Sequence, residues 1–310
     1  MGFNEPDSTS QSDTTVAKAI EMWPDLMATG LPLVSPATVH PDNAWMQDFM
    51  NQINQLGYRV DYVAVHYYGG VNPDTFINKL ISVYDLYGRP LWITEFGAAD
   101  WGASSPEENQ FSEGEVYTYL AEILWRMEQM DIVSRYSWFC AGIDSPALCR
   151  SALFEADQVT FTPVGHLYAS WDGDLRGPQS DISYYVHNES SHSRLRVSAS
   201  SVAMAGISDI TDSVRWKLRK TPYADGWYYI ENEASGSRLG CASGDLQMYP
   251  AGSEGDDLKW KFVESEFGWY FIENKAAAER IHCDSSASSV TMVNSSQTDT
   301  DVRWRFIKPI

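Results

Sequence analysis

Two glutamates stand where they could act together. Glu5 lies in Asn4-Glu5-Pro6, and Glu95 lies in Trp92-Ile93-Thr94-Glu95-Phe96-Gly97. A pair of carboxyl groups can open an acetal. One protonates the departing oxygen, and in retaining enzymes the other attacks the anomeric carbon. Asn4, beside the proposed proton donor, could hydrogen-bond a sugar 2-hydroxyl, a contact that strengthens in the transition state. His66, Tyr67 and Tyr68 close the run Val60–Tyr68, and Trp101 and Trp138 offer flat ring faces on which a pyranose could stack. The six histidines are scattered, and neither an HExxH nor a CxxC spacing occurs, so no metal and no organic cofactor are expected.

These residues need elements to hold them. Apolar spacing predicts helices at 14–30, 44–57, 75–88, 113–130 and 162–171. Strands are predicted at 31–37, 60–68, 90–97 and 133–141, with another ending at Phe3. Strands alternating with helices imply βα units and a parallel sheet. Asn4-Glu5, His66–Tyr68, Glu95 and Trp138 all fall at the C-terminal ends of predicted strands, the rim that carries the active site in a (β/α)8 barrel. Five strands are present and a barrel needs eight. Three βα units are therefore expected before Met1, together with a secretion signal.

From about residue 181 the grammar changes. Tyr185-Val186-His187-Asn188, Tyr229-Ile230-Glu231-Asn232 and Phe271-Ile272-Glu273-Asn274 align. So do Arg194-Leu195, Arg238-Leu239 and Arg280-Ile281, and each unit closes on Trp216, Trp260 or Trp304, 44 residues apart both times. Three landmarks kept in step mark an internal repeat. Short strands separated by Gly, Ser, Asn and Asp make it all-β. The repeat resembles a ricin-B-type β-trefoil, which implies carbohydrate binding. The three Trp are read as core and the repeated Asn as turn anchors. The expected organisation is a hydrolase domain at 1–171, a linker at 172–180 (D-G-D-L-R-G-P-Q-S) and the trefoil at 181–310. The fold class is thus multidomain: a partial (β/α)8 TIM barrel, strands four to eight, followed by an all-β trefoil.

Composition narrows the partners. The 310 residues carry a net charge of −20, most of it in the first 180, which disfavours a phosphate backbone and hence nucleic acid. No apolar run is long enough to span a membrane. Aromatic residues reach 13%, with 12 Trp and 17 Tyr, in keeping with sugar stacking as well as with core packing. Cys140 and Cys149 are close enough for a loop disulfide or are free thiols. Cys241 and Cys283 occupy equivalent repeat positions, with Val197 in the third, and read as core.

The three stretches G-F-N-E-P-D, V-D-Y-V-A-V-H-Y-Y-G and P-L-W-I-T-E-F-G, in this order, resemble glycoside hydrolase family 128, the Asl1-like group of retaining (β/α)8 enzymes. T-P-V-G-H-L-Y at 162–168 resembles that family's last helix. The resemblance implies a secreted, monomeric endo-β-1,3-glucanase acting on polysaccharide, with Glu5 as acid/base and Glu95 as nucleophile. It implies Asn4, His66, Tyr67, Tyr68, Trp101 and Trp138 as substrate-binding residues. Two alternatives stand beside it: an inactive partial barrel that only binds carbohydrate, and an endo-glycosidase for another β-glucan or a galactan.

Overall fold

The computed structural model describes residues 2–222 and 225–309. They form two compact units: Met1–Phe111 with Arg126–Ala156, and Ser112–Trp125 with Asp157–Ile310.

The first unit is built on parallel strands β1 (Val63–Gly69), β2 (Leu91–Ala98) and β3 (Val133–Trp138), in that order. Two isolated parallel bridges, Asn4 to Ala37 and Val34 to Tyr62, extend the ladder on the β1 side. The result is five parallel segments in chain order. The strand expected at 31–37 appears only as these bridges. Pro32 and Pro36 lack the N–H groups a continuous ladder requires.

Helices α1 (Val16–Ala28), α2 (Ala44–Leu56) and α3 (Pro73–Tyr87) connect the segments. Thr15, Asn43 and Asn72 cap them by accepting from the N–H groups of Lys18, Met46 and Thr75. Gly57 and Gly88 end α2 and α3 in the left-handed conformation, where glycine carries no Cβ penalty. The buried faces of α2 (Met46, Phe49, Met50, Ile53) and α3 (Phe76, Ile77, Leu80, Val83) form much of the apolar layer of this unit.

The second unit contains most of α4 (Glu113–Met127), α5 (Pro163–Ser170) and twelve strands. Six strands close a ring of antiparallel pairs: β4 (Ser183–Asn188), β7 (Arg215–Lys220), β8 (Tyr228–Asn232), β11 (Trp260–Glu264), β12 (Tyr270–Asn274) and β15 (Trp304–Ile307), returning to β4. Three hairpins cap it: β5 (Arg194–Ser198) with β6 (Ser201–Ala205), β9 (Arg238–Ala242) with β10 (Asp245–Tyr249), and β13 (Glu279–Cys283) with β14 (Val290–Asn294). A six-stranded barrel with three capping hairpins is a trefoil arrangement, and closure leaves no free sheet edge in the barrel.

The repeated residues explain the closure. Trp216, Trp260 and Trp304 are fully buried, and each indole N–H donates to the carbonyl of Leu195, Leu239 or Ile281. Asn188, Asn232 and Asn274 are buried. Their amides donate to carbonyls of the loop that leads into the Trp strand of the preceding repeat, the third repeat's for Asn188, and accept from turn N–H groups. Such side chains satisfy backbone groups that burial would otherwise leave unpaired. All four cysteines are free, and Cys241 and Cys283 lie in the trefoil core. No described helix is long and apolar enough to cross a membrane.

Candidate active site

Glu5 is held by backbone. Its N–H donates to Ala37 O at 2.7 Å, directly after the Asn4–Ala37 bridge, and its carbonyl accepts from Ser8 N–H. Its φ is +41°, a region that non-glycine residues enter at a cost of ~1–3 kcal/mol and that is concentrated at functional sites. The surrounding turn determines this conformation. Ser12 donates from N–H and Oγ to Asn4 O, and Thr14 N–H donates to Pro6 O. The Asp7 carboxylate receives Val39 N–H at 3.1 Å and the Asn43 amide at 2.7 Å. Asn43 is also the N-cap of α2, so Asp7 ties the Glu5 turn to a helix end.

Glu95 reaches the same place through a register shift. Val63, Ala64 and Val65 pair with Leu91, Trp92 and Ile93, but His66 pairs with Glu95 and Thr94 is passed over. Strand side chains alternate with period two, so strict pairing would set Thr94 beside His66 and turn Glu95 to the opposite face. The extra residue re-aims the carboxylate, a common use of bulges beside active sites.

The outcome is a tight cluster. One oxygen of Glu5, one oxygen of Glu95 and a ring nitrogen of His66 all lie within 4.8 Å of one another. His66 Nδ1 is 3.1 Å from Glu5 Oε1 and 3.5 Å from Glu95 Oε2, and the ring is buried. Two carboxylates facing Nδ1 place the imidazole proton there. Nε2 is buried and has no hydrogen-bond partner among the described residues. The Tyr68 hydroxyl donates to Glu95 Oε2 at 2.7 Å. Burial, then the hydrogen bond to Glu95 and the charges of Glu95 and Glu5, push the Tyr68 phenol far above its ordinary ionisation range, so it remains a donor. The three groups could each offer one atom to a cation, but the His66 and Tyr68 donors already address both carboxylates.

The other expected residues divide. Trp101 is 68% exposed, donates its indole N–H to Tyr68 O at 3.2 Å, and packs edge-on against the Tyr68 ring, leaving an open aromatic face beside the cluster. The Asn4 amide bonds Gln11 Oε1 at 3.4 Å and does not reach the carboxylates. Tyr67 and Trp138 do not line the cluster. Tyr67 alternates away from His66 and Tyr68, and its ring lies 4.9 Å from Phe76 of α3. Trp138 is 3% exposed, with its indole on Ser151 O and its ring edge-on to Phe96. The cause is again the bulge. With Glu95 turned inward, Phe96 faces outward, and Trp138 pairs with Phe96. Sequence reasoning missed Phe139, one residue further, which takes the inward place. Its N–H donates to Phe96 O, and its ring meets Tyr68 at 5.5 Å. Counting two residues at a time from a bulged Glu95 would have selected it.

Residues 1–168 match the family model described as a glycosyl hydrolase catalytic core. The alkali-sensitive linkage protein 1 of Schizosaccharomyces pombe is 31% identical over 180 residues, which is 55% of this chain and 32% of that protein. The chain thus spans about a third of the length of that curated relative. Among solved structures, a GH128 (subgroup I) endo-beta-1,3-glucanase from Amycolatopsis mediterranei in complex with laminaritriose is similar, with 30% identity and a TM-score of 0.46. The match covers 53% of this chain and 68% of that one. A designed 3-fold symmetric protein, ThreeFoil, is similar at 20% identity and a TM-score of 0.36 over 41% of this chain and 98% of its own. With more than half of its residues matched by one family model, the chain belongs to the family of glycosyl hydrolase catalytic cores.

Proposed function

We propose that this chain carries the catalytic carboxylates of a secreted, retaining endo-β-1,3-glucanase, and that its five parallel segments are strands four to eight of a (β/α)8 barrel. The observation that carries this reading is the convergence of Glu5, His66 and Glu95, with carboxylate oxygens no more than 4.8 Å apart. Retaining glycosidases hold their carboxyl groups about 5–5.5 Å apart, whereas inverting enzymes need about 6.5–9.5 Å to admit a water. The spacing supports direct attack by one carboxylate.

In the first step Glu5 gives its proton to the glycosidic oxygen, while a Glu95 oxygen bonds to the anomeric carbon and the bond to the leaving group breaks. In the second step Glu5 takes a proton from water. The water oxygen bonds to the anomeric carbon and Glu95 departs as carboxylate. Tyr68 occupies a lone pair of Glu95 Oε2, which fixes the rotamer and leaves Oε1 free for attack. Trp101 presents an open ring face to a bound pyranose. β-1,3-Glucan is the preferred substrate class because the ordered motifs point there and a relative of 30% identity was crystallised with laminaritriose. Laminarin hydrolysis, followed as reducing-end release, tests the reading with Glu5→Gln and Glu95→Gln as controls. Each should lose at least about a thousandfold in kcat, and near-parental activity in either would overturn the assignment.

A further inference from the structure

Trp101 is the one exposed tryptophan among the described residues. A large ring left in water forgoes the free energy of burial, so something else must hold it there. Its neighbour Asp100 is buried. One Asp100 oxygen accepts from Gly102 N–H at 3.1 Å, and the other accepts from Gln110 N–H at 2.9 Å. The carboxylate thus draws together the two ends of the loop that follows β2. Asn109 is buried as well. Its amide donates to Pro146 O at 2.9 Å and to Ala147 O at 3.1 Å, and its oxygen accepts from Phe111 N–H at 3.1 Å. Asp100 N–H adds a second bond to Ala147 O, at 2.9 Å.

The loop after β2 is thereby tied to the loop after β3. Residues 99–111 contain only one short 3-10 turn, Pro106–Glu108. Such a loop is mobile unless its backbone is pinned. Asp100 and Asn109 lie beyond the last residue of β2, and all their bonds go to loop backbone, so the sheet itself does not call for them. What they fix is the stretch on either side of Trp101. The Trp101 indole N–H reaches Tyr68 O, and the Tyr68 hydroxyl holds Glu95. The ring is thus placed relative to the carboxylate cluster.

We infer that Asp100 and Asn109 are positioning residues for substrate. They hold Trp101 as a pre-formed platform for one glucosyl unit beside the bond that Glu5 and Glu95 cleave. The inference rests on the catalytic reading proposed above. Neither side chain has to touch the sugar. A platform that is already ordered loses little conformational freedom when a pyranose stacks on it, so more of the stacking energy appears as affinity.

The experiment is a double-mutant cycle on the full chain. Asn109→Ala and Trp101→Ala are made singly and together. KM and kcat are measured on laminarin, and laminarihexaose is titrated calorimetrically into the same variants carrying Glu95→Gln. Trp101→Ala should raise KM and Kd by about tenfold, the scale of losing one anchoring aromatic. Asn109→Ala should raise both by about fivefold, the scale of reordering a side chain at each binding event. Its rise in KM should exceed any fall in kcat. The double variant should bind no more weakly than Trp101→Ala alone, because the clamp then has no platform to hold. Asp100→Asn turns an amide N–H toward Gly102 N–H or Gln110 N–H, should reproduce Asn109→Ala, and decides the question if Asn109→Ala does not fold. Losses that multiply in the double variant, an unchanged KM and Kd in the clamp variants, or no binding of laminarihexaose by the Glu95→Gln parent overturns the inference. The two readings separate. A cycle in Kd that does not multiply, without any hydrolysis by the parent, keeps the platform and removes the catalytic assignment. Hydrolysis with losses that multiply does the reverse.

Discussion

Replacing Tyr68 by Phe removes one oxygen and leaves the ring against Phe139 and Trp101. The lost contact is the 2.7 Å hydrogen bond to Glu95 Oε2. Hydrogen bonds to charged groups contribute about 1.5–3 kcal/mol, and each 1.36 kcal/mol is tenfold in rate, so the range is roughly 10- to 150-fold. The Glu95 side chain is 27% exposed, so water replaces part of the contact, and the lower end of that range is expected. The two steps of the proposed retaining mechanism should respond differently. In glycosylation Glu95 loses charge as its oxygen bonds to carbon, so the donor helps chiefly by holding the rotamer. In deglycosylation the carboxylate leaves as an anion, and the same donor stabilises the charge that develops. Tyr68→Phe should therefore lower kcat by about 10- to 50-fold while kcat/KM falls less, so that KM falls as well. An activated aryl β-glucoside would show a pre-steady-state burst as the glycosyl-enzyme accumulates. A kcat within twofold of the parent would refute the role. Equal falls in kcat and kcat/KM without a burst would refute the charge argument and leave only positioning.

Other outcomes follow from the same geometry. Azide should rescue Glu95→Gly with inversion at the anomeric carbon and Glu5→Ala with retention; product stereochemistry by NMR checks both, and the opposite pattern would exchange the two roles. Asp7→Ala strips the acceptors of Val39 N–H and the Asn43 amide. It should cost about 2 kcal/mol in denaturant unfolding and lower kcat, because the left-handed Glu5 turn loses its brace. Glu189 in the second unit is pushed up to about 7 by burial, which outweighs Arg303 nearby. Its folded form binds its proton more tightly than the unfolded chain, so its contribution is complete below about pH 4.5 and is lost as pH rises through about 7. Glu189→Gln should abolish that component of the pH dependence of unfolding, and an unchanged slope between pH 4.5 and 7 would contradict it.

Much of the first unit was legible because its elements are punctuated by residues with one mechanical meaning. Gly57 and Gly88 stop helices where the spacing predicts, and Asn43 and Asn72 start them. The site was half legible. The motifs gave Glu5, Glu95, His66, Tyr68 and Trp101 their neighbourhood, since all lie in or just beyond the C-terminal halves of the parallel segments. Tyr67 and Trp138 were misplaced because a one-residue bulge reverses every face beyond it, and nothing in Val65-His66 or Thr94-Glu95 announces it. Only the demand that two carboxylates meet would have required the shift. The strand at 31–37 failed for a reason visible in the letters, two prolines within five residues.

The trefoil carries a further signal in the places where its repeats disagree. Arg238 and Arg280 pair with Glu231 and Glu273, but the first repeat has His187 at the aligned position. There Arg194 turns instead to the Tyr117 hydroxyl of α4, and His187 meets Thr118 of the same helix. Lys217 and Lys261 give way to Arg305, which donates to Ala121 O and stacks on Trp269. Trp269 donates to Glu122, and Gly268 accommodates the Trp125 ring, whereas the matching Gly226-Trp227 pair meets no part of α4 among the described contacts. A buried arginine or histidine needs a partner, and a repeat that exchanges a self-sufficient ion pair for an unpaired base must obtain that partner from outside itself. The departures from threefold identity in the first and third repeats thus trace the footprint of α4. The second repeat keeps Glu231 with Arg238, and its Lys261 pairs with Glu273 of the third repeat, so neither base calls on the helix.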